Sequence, residues 1–299
     1  MKPRRLLALL TIPALLLAGC AGQEAERAPL TKGVDEAAKA ALPQDIRDAG
    51  VLNVAVDYPY PPFASDDENG NPMGLDIDLA YALGEKLDIK VNINKQPFDT
   101  AVASLQANSN DIILSGMNDT LERQKTLDFI EYLHAGFAIA VPAGNPKGIS
   151  EVFDLCGLTI ASQKASTTGD ILVGISEECK AAGKPEVKMH ELATVPDSNT
   201  ALQAGNVDGF IGDAPIMAFL AETSGDGKAV ELLEFPELPK GFDPVFTGIG
   251  VLKSDEGLSE AILLAMKSIE EEGTYDELLK RSGLEQYRVE RIGMNLAES

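Results

Sequence analysis

The chain has 299 residues, 44% of them hydrophobic, and carries 47 Asp/Glu against 25 Lys/Arg, a formal net charge of −22. Such a field repels nucleic acid and anionic headgroups, which argues against nucleic-acid binding, while the hydrophobic share suffices for one large domain or two ordinary lobes. The charge alone does not identify a cationic ligand, because acidic surfaces mostly serve solubility.

The N-terminus reads as an address. Lys2, Arg4 and Arg5 precede an apolar run from Leu6 to Ala18, broken only by Thr11 and Pro13. At about 13 residues the run falls short of the roughly 20 that cross a bilayer, and its charge layout is that of a secretory signal. It ends in Leu17-Ala18-Gly19-Cys20, which resembles the bacterial lipobox. Ala18 and Gly19 are small enough for the chain to lie extended in a peptidase cleft, and the thiol after them can become a thioether to diacylglycerol. Residues 1–19 are therefore expected to be a lipoprotein signal peptide. Cys20 is expected to carry lipid that holds an extracytoplasmic domain at the cell membrane, with about 0.8 kcal/mol from each buried CH₂. The alternative is an ordinary signal peptide with an incidental cysteine. Loss of residues 1–19 removes three basic and no acidic residues, taking the formal charge from −22 to −25.

Residues 20–44 are polar and Ala-rich, with Gly22, Pro29, Gly33 and Pro43, and read as a flexible tether with one or two helical turns near Asp35–Leu42. Folded structure is expected from Asp45. Val51–Val56 is rich in β-branched residues and reads as a buried strand. Tyr58-Pro59-Tyr60-Pro61-Pro62-Phe63 cannot continue it, and Asn69-Gly70-Asn71-Pro72 is a turn. Ile77, Ala80, Tyr81, Leu83, Gly84 and Leu87 recur at helical spacing. Lys90–Asn94 is strand-like, Phe98–Ala107 an amphipathic helix and Asp111–Leu114 a short strand. This alternation favours a parallel sheet.

After an extended segment at Gly136–Val141 the pattern returns. Strands are expected at Leu158–Ala161, Val187–His190 and Gly209–Gly212, and helices at Thr167–Glu178, Asn199–Ala204 and Ala214–Glu222. The chain comes back through Phe246–Val251 and ends in helices near Leu258–Glu272 and Tyr275–Ser282. The expected fold class is α/β with two lobes and a hinge. Residues 45–135 plus 252–299 form lobe 1 and 136–251 lobe 2, with crossings near 136–142 and 240–251. A ligand cleft is expected between strand ends. Cys156 and Cys179 are expected to form a disulfide outside the cytosol. A metal site would need more ligands than these cysteines, His134 and His190 supply.

One ordered set of motifs is specific. Asp57-x-x-Tyr60-Pro61-Pro62-Phe63, Gly74-Leu75-Asp76-Ile77-Asp78-Leu79, Phe98-Asp99, Ser115-Gly116-Met117-x-x-Thr120-x-Glu122-Arg123 and Asp128-Phe129 occur in the first half. Ser162-Gln163-Lys164-Ala165-Ser166-Thr167, Val207-Asp208-Gly209-x-x-x-Asp213 and Gly273-Thr274-Tyr275-Asp276 follow in the second. The set, spanning roughly residues 45–283, resembles the family 3 extracellular solute-binding proteins of ABC importers, which bind polar amino acids. The resemblance implies a periplasmic-binding-protein-like fold. It implies that Arg123 takes the ligand carboxylate, that Asp213 takes its ammonium, and that Tyr60 and Phe98 wall its side chain. Asp57 and Gln163 match positions that can touch that side chain.

The chemistry of a zwitterion calls for the same residue types. A desolvated carboxylate and ammonium need opposite charges with hydrogen-bond geometry, and a guanidinium grips a carboxylate through two parallel donors that lysine lacks. Ser115 and the backbone of Gly116 are expected to add contacts from lobe 1. Ser166 and Thr167 open a helix, where free N–H groups and hydroxyls favour an anion. Each position has a plainer alternative: Arg123 paired with Glu122 or Glu131, Asp213, Ser166 and Thr167 as helix caps, Tyr60 and Phe98 as core. Asn118 departs from the usual hydroxyl residue but keeps a donor and an acceptor. Asp119 replaces a common apolar residue and reads as a surface charge, and Ala165 stands where glycine is common.

The preferred function is capture without covalent chemistry. A polar amino acid binds the open cleft, the lobes close, and the monomeric closed form docks on a permease served by an ATPase. No cofactor and no metal are expected. A periplasmic dehydratase on the same fold is the enzyme alternative, against which stands the lack of an isolated acid/base pair, a G-x-S-x-G elbow or a P-loop. A sensor for a separate signalling partner is the third reading.

Overall fold

The computed structural model describes residues 27–233 and 237–297; Cys20 and the expected signal peptide lie outside the described residues. The chain begins with two short helices, α1 (Glu36–Ala41) and α2 (Gln44–Ala49), then β1 (Val51–Asp57). A small hairpin of β2 (Ser65–Asp66) and β3 (Pro72–Met73) leads into α3 (Leu75–Leu87), β4 (Lys90–Gln96), α4 (Ala101–Gln106) and β5 (Ile112–Ile113). The long β6 (Leu127–Pro142) is followed by β7 (Thr159–Gln163), α5 (Thr167–Ala181), β8 (Lys188–Leu192), α6 (Val195–Gln203), β9 (Gly209–Asp213), α7 (Ala214–Thr223) and β10 (Val230–Leu232). The return strand β11 (Phe242–Leu252), α8 (Glu256–Glu271), α9 (Thr274–Ser282) and β12 (Gly293–Met294) complete the chain.

The strands are ordered β4-β1-β5-β11-β6-β9-β7-β8. At one end β1 pairs in parallel with β4 and β5, and at the other β7 pairs in parallel with β8 and β9. The antiparallel pair β6 and β11 joins these two parallel sheets. The strands are apolar where helices cover them: Leu52, Val54, Ala55 and Val56 of β1 are fully buried. Two α/β lobes result. The carboxyl ends of β1, β5, β7 and β9 face one another across the gap, the place where open α/β sheets bind ligands.

The pairing partners change within both expected crossings. Phe137–Ala140 of β6 already pairs with β9, while Gly250 and Val251 of β11 pair with Ile113 and Ile112 of β5. Residues 137–142 therefore belong to lobe 2's sheet, and 248–252 to lobe 1's. Between them the pairing register slips at Phe242/Val245 and Thr247/Gly248, and His134 stacks on Phe246 at 4.4 Å. Gly136 donates to Lys240 O at 2.6 Å, and a Cβ there would lie 2.4 Å from Phe242 O. Only glycine permits that approach.

Cys156 and Cys179 are bonded, with Cα atoms 5.6 Å apart, tying the turn before β7 to α5 in lobe 2's own core. In the chain-entropy description, closing such a loop stabilises the fold by about 3 kcal/mol.

The expected tether is corrected from Arg27 onward. Glu85 of α3 accepts from Leu30 N, Thr31 N and Thr31 Oγ1 at 2.8–3.0 Å. Lys32 donates its backbone N–H to Glu272 Oε1 and its Nζ to Glu272 O. Asp35 then caps α1 by accepting from Ala37 N and Ala38 N. Ala38 and Leu42 are buried in the lobe 1 core with α3 and α8. The segment reads as a linker because its apolar residues are mostly alanines, with only Leu30, Val34 and Leu42 larger, enough for a short helix resting on an existing surface. Leu42→Ala is expected to cost about 2–5 kcal/mol, read as a lower urea midpoint; an unchanged midpoint would restore the tether reading.

The C-terminal strand is held by two acids. Glu131 of β6 is fully buried; its Oε1 accepts from Leu296 N at 2.8 Å and its Oε2 has no donor. Asp119, also buried, accepts from Ala297 N at 3.0 Å and from Gln124 Nε2. Burial, reinforced by neighbouring Asp119, pushes the Glu131 carboxyl up to about 8. The folded chain thus holds a proton that the unfolded chain releases near the ordinary glutamate value, so this contribution to stability declines as pH rises toward about 8. Glutamine mimics the protonated acid. Glu131→Gln is expected to fold normally and to flatten the fall in stability between pH 5 and 8, measured by urea unfolding; an unchanged pH slope would contradict a proton held on Glu131.

Candidate functional site

The cleft is built from strand ends. Asp57 closes β1, Gln163 closes β7 and Asp213 closes β9. Ser115 and Gly116 follow β5, and Arg123 opens a 3₁₀ turn after the next loop. Tyr60, Phe98, Gly116, Asn118, Gln163, Ser166 and Asp213 line one cavity, together with Thr168 and an apolar wall that includes Phe210, Ile216 and Met217. Its room for water is about 20 Å³, on the order of one molecule, so the lobes stand close together.

Asp213 is the most constrained acid of the site. The residue precedes α7, yet its side chain makes no cap bond to that helix. Instead Oδ2 accepts from Tyr60 Oη at 3.0 Å and Oδ1 from Asn118 Nδ2 at 2.9 Å, both donors coming from the other lobe. Burial pushes its carboxyl up, opposed by those two hydrogen bonds and by the Arg123 charge. Tyr60 is stacked on Phe63, with centroids 5.5 Å apart. A Cβ on Gly116, whose φ is +56°, would lie 2.7 Å from the Tyr60 ring, so the wall requires glycine there.

Arg123 donates Nη1 to Asn118 O at 2.8 Å and Nη2 to Ala165 O at 3.1 Å, and lies 5.5 Å from the Phe98 ring centre. Neither suggested surface partner holds it. Glu122 pairs with Lys125, and Glu131 with the C-terminal strand. Burial lowers the guanidinium pKa, partly offset by Asp213 and Asp170. Carbonyls therefore orient this cation, and no carboxylate among the described residues makes an ion pair with it.

Asp57 is buried, and its Oδ2 accepts from Gln163 Nε2 at 2.6 Å across the cleft. Desolvation raises its carboxyl to about 6, against the pull of the Gln163 bond.

Several expectations change. The Ser115 hydroxyl accepts from Asp57 N at 2.8 Å and is absent from the cavity wall, so it ties β1 to β5. The Gly116 N–H is already committed to Asp76 Oδ2 at 2.9 Å, which leaves Gly116 a steric role on the wall. Ser166 bonds Gln163 O and meets Thr168 Oγ1 rather than capping α5. Thr168, not Thr167, lines the cavity, and Thr167 Oγ1 is buried without a partner. Asp119 is buried rather than a surface charge, because the C-terminal strand covers it.

Sequence reasoning missed a supporting pair and most of the apolar wall. Asp76 is fully buried and accepts from Tyr132 Oη at 2.7 Å as well as from Gly116 N; burial raises it to about 7. The Gly74-Leu75-Asp76 motif was visible, but its acid faces the loop behind the cavity. Ile216 and Met217 lie within a turn of Asp213 on α7, a spacing that could have nominated them.

The match to known proteins follows this geometry. The model of the bacterial extracellular solute-binding proteins, family 3, matches residues 52–284. The arginine-binding protein ArgT of Corynebacterium glutamicum is 30% identical over 250 residues, covering 83% of this chain and 79% of that protein. A probable histidine-binding protein of Neisseria gonorrhoeae is 29% identical over 91% of this chain and 92% of its own. A solved ancestral arginine-binding protein bound to arginine superposes with a TM-score of 0.67 at 30% identity, covering 78% of this chain and 98% of that one. The chain belongs to the bacterial extracellular solute-binding proteins of family 3, and is a solute-binding protein rather than an enzyme.

Proposed function

We propose that the chain captures an α-amino acid between its lobes and hands it to the membrane permease of an ABC importer. The observation that carries this reading is the pair Asp213, which lines the cavity, and Arg123, which stands behind the wall on Asn118 O. Asp213 is a buried acid held by two neutral donors, and Arg123 is a cation oriented by carbonyls. An ammonium replaces the neutral donors on Asp213 with a charge-assisted bond, and a carboxylate takes the guanidinium N–H groups that remain free. Tyr60 and Phe98 wall the side chain. The buried acid Asp57, beside Gln163, suits a cationic or amide-bearing end. The names of the relatives favour arginine or histidine among such ligands. The small cavity implies that entry needs the lobes to part about the Gly136 crossing.

A thermal-shift screen of the purified protein against the amino acids tests this reading, since a ligand bound only to the folded state raises Tm. L-arginine or L-histidine is expected to raise Tm, and Arg123→Ala and Asp213→Ala are each expected to abolish the rise. Full binding by both variants would sink the assignment.

We further infer that Cys20 carries the lipid anchor. With residues from Arg27 onward docked on lobe 1, only six residues separate Cys20 from the docked chain, fewer than a tether ending at residue 44 would supply. Cys20→Ser is expected to move the protein from the membrane fraction to the medium or periplasmic extract; retention on the membrane would refute the anchor.

A further inference from the structure

Three consecutive residues of the β7–α5 turn in lobe 2 each make a polar contact across the cleft, and each takes a different lobe 1 partner. Gln163 Nε2 donates to Asp57, Lys164 Nζ pairs with Asp99 Oδ2 at 2.7 Å, and Ala165 O accepts from Arg123. The turn is stiff. Lys164 N donates to Leu192 O at 2.9 Å, and Ala165 sits at φ +62°, a left-handed conformation that costs a non-glycine residue energy. Asp99 is equally fixed, in a 3₁₀ turn directly after the cavity wall residue Phe98. The three contacts must therefore form and break together as the lobes swing.

The three contacts differ in chemistry. Gln163 lines the cavity, and Asp57 and Arg123 stand behind its wall, bonded to the lining residues Gln163 and Asn118, so an incoming solute can exchange with their bonds. Lys164 and Asp99 do not line the cavity. The Lys164 side chain is 60% exposed and that of Asp99 27%, which places the pair at the cleft mouth. No solute has to displace it. Asp99 also raises the Asp57 carboxyl by like-charge repulsion, and the Lys164 ammonium offsets that repulsion when the lobes meet. Its own pKa is raised first by the hydrogen bond to Asp99.

We propose that Lys164 and Asp99 form an electrostatic latch that sets the lifetime of the closed form separately from ligand recognition. The latch rests on the capture reading for its purpose but not for its existence. It positions the lobes and does not touch the solute. An exposed ion pair supports an effect of up to about fivefold, and it weakens as salt screens it.

The test uses pulsed electron–electron spin-resonance distances between labels on α4 in lobe 1 and α5 in lobe 2 of the full-length protein, with and without L-arginine. Lys164→Gln and Asp99→Asn are each expected to lower the closed-to-open ratio two- to fivefold at 20 mM NaCl. In 1 M NaCl the wild type is expected to match them. The reversed pair Asp99→Lys/Lys164→Asp is expected to restore closure at low salt, which a merely structural role for either residue would not allow. Unchanged distances in both single variants, or no recovery in the reversed pair, would overturn the latch. If the wild type ignores L-arginine and every other amino acid tried, the capture reading fails, while the salt and charge-reversal results still decide the latch.

Discussion

Everything in the cleft turns on one buried acid, Asp213, which burial drives toward the protonated form while two hydrogen bonds and the nearby Arg123 favour the charged one. The strand that carries it ends at the gap between lobes, and the helix that follows does not use its oxygens. Two donors reach it instead from the opposite lobe, through Tyr60 and Asn118. An anion desolvated in this way must find a positive partner or bind a proton. Arg123 lies close enough to depress its pKa without forming an ion pair with it. The two opposite charges are thus kept near each other and apart, which is the arrangement a zwitterion fits.

The rest of the fold serves that arrangement. Parallel strands from each lobe aim their carboxyl ends at the gap, and the crossing pair β6 and β11 joins the two sheets. Gly136 permits close approach at the crossing, Gly116 leaves room for the Tyr60 ring, and Asp76 with Tyr132 fixes the loop behind that ring. Burial of Asp57, Asp76 and Glu131 raises all three carboxyls, so the contribution of these three groups to stability declines as pH rises through neutrality.

Much of this was legible in the sequence because strand ends and their following residues are local features. Val51–Val56 had to be a strand, the prolines after it had to end it, and Asp213 before Pro215 had to sit at a strand-to-helix turn. What stayed hidden depended on distant partners. Residues 27–44 lack the composition of a core segment, and only the surface of α3 and α8 makes Ala38 and Leu42 buried. Asp119 looked exposed until the C-terminal strand, distant in sequence, covered it. Gly116 lines the cavity and Ser115 stands behind it, and the polar atoms of both are taken by Asp57 and Asp76, which spacing alone cannot reveal. The crossing strands were recognised as extended, yet their lobe boundary depends on pairing partners rather than on residue type.

The most direct test of the central claim separates the two ends of the zwitterion. Calorimetric titration of the wild-type protein compares L-arginine with agmatine, which lacks the carboxylate, and with 5-guanidinovalerate, which lacks the ammonium. If Arg123 and Asp213 hold the headgroup, both analogues bind at least about a hundredfold more weakly than L-arginine, since each leaves one buried charge unpaired. Tight binding of either analogue would contradict a site built around the α-amino-acid headgroup.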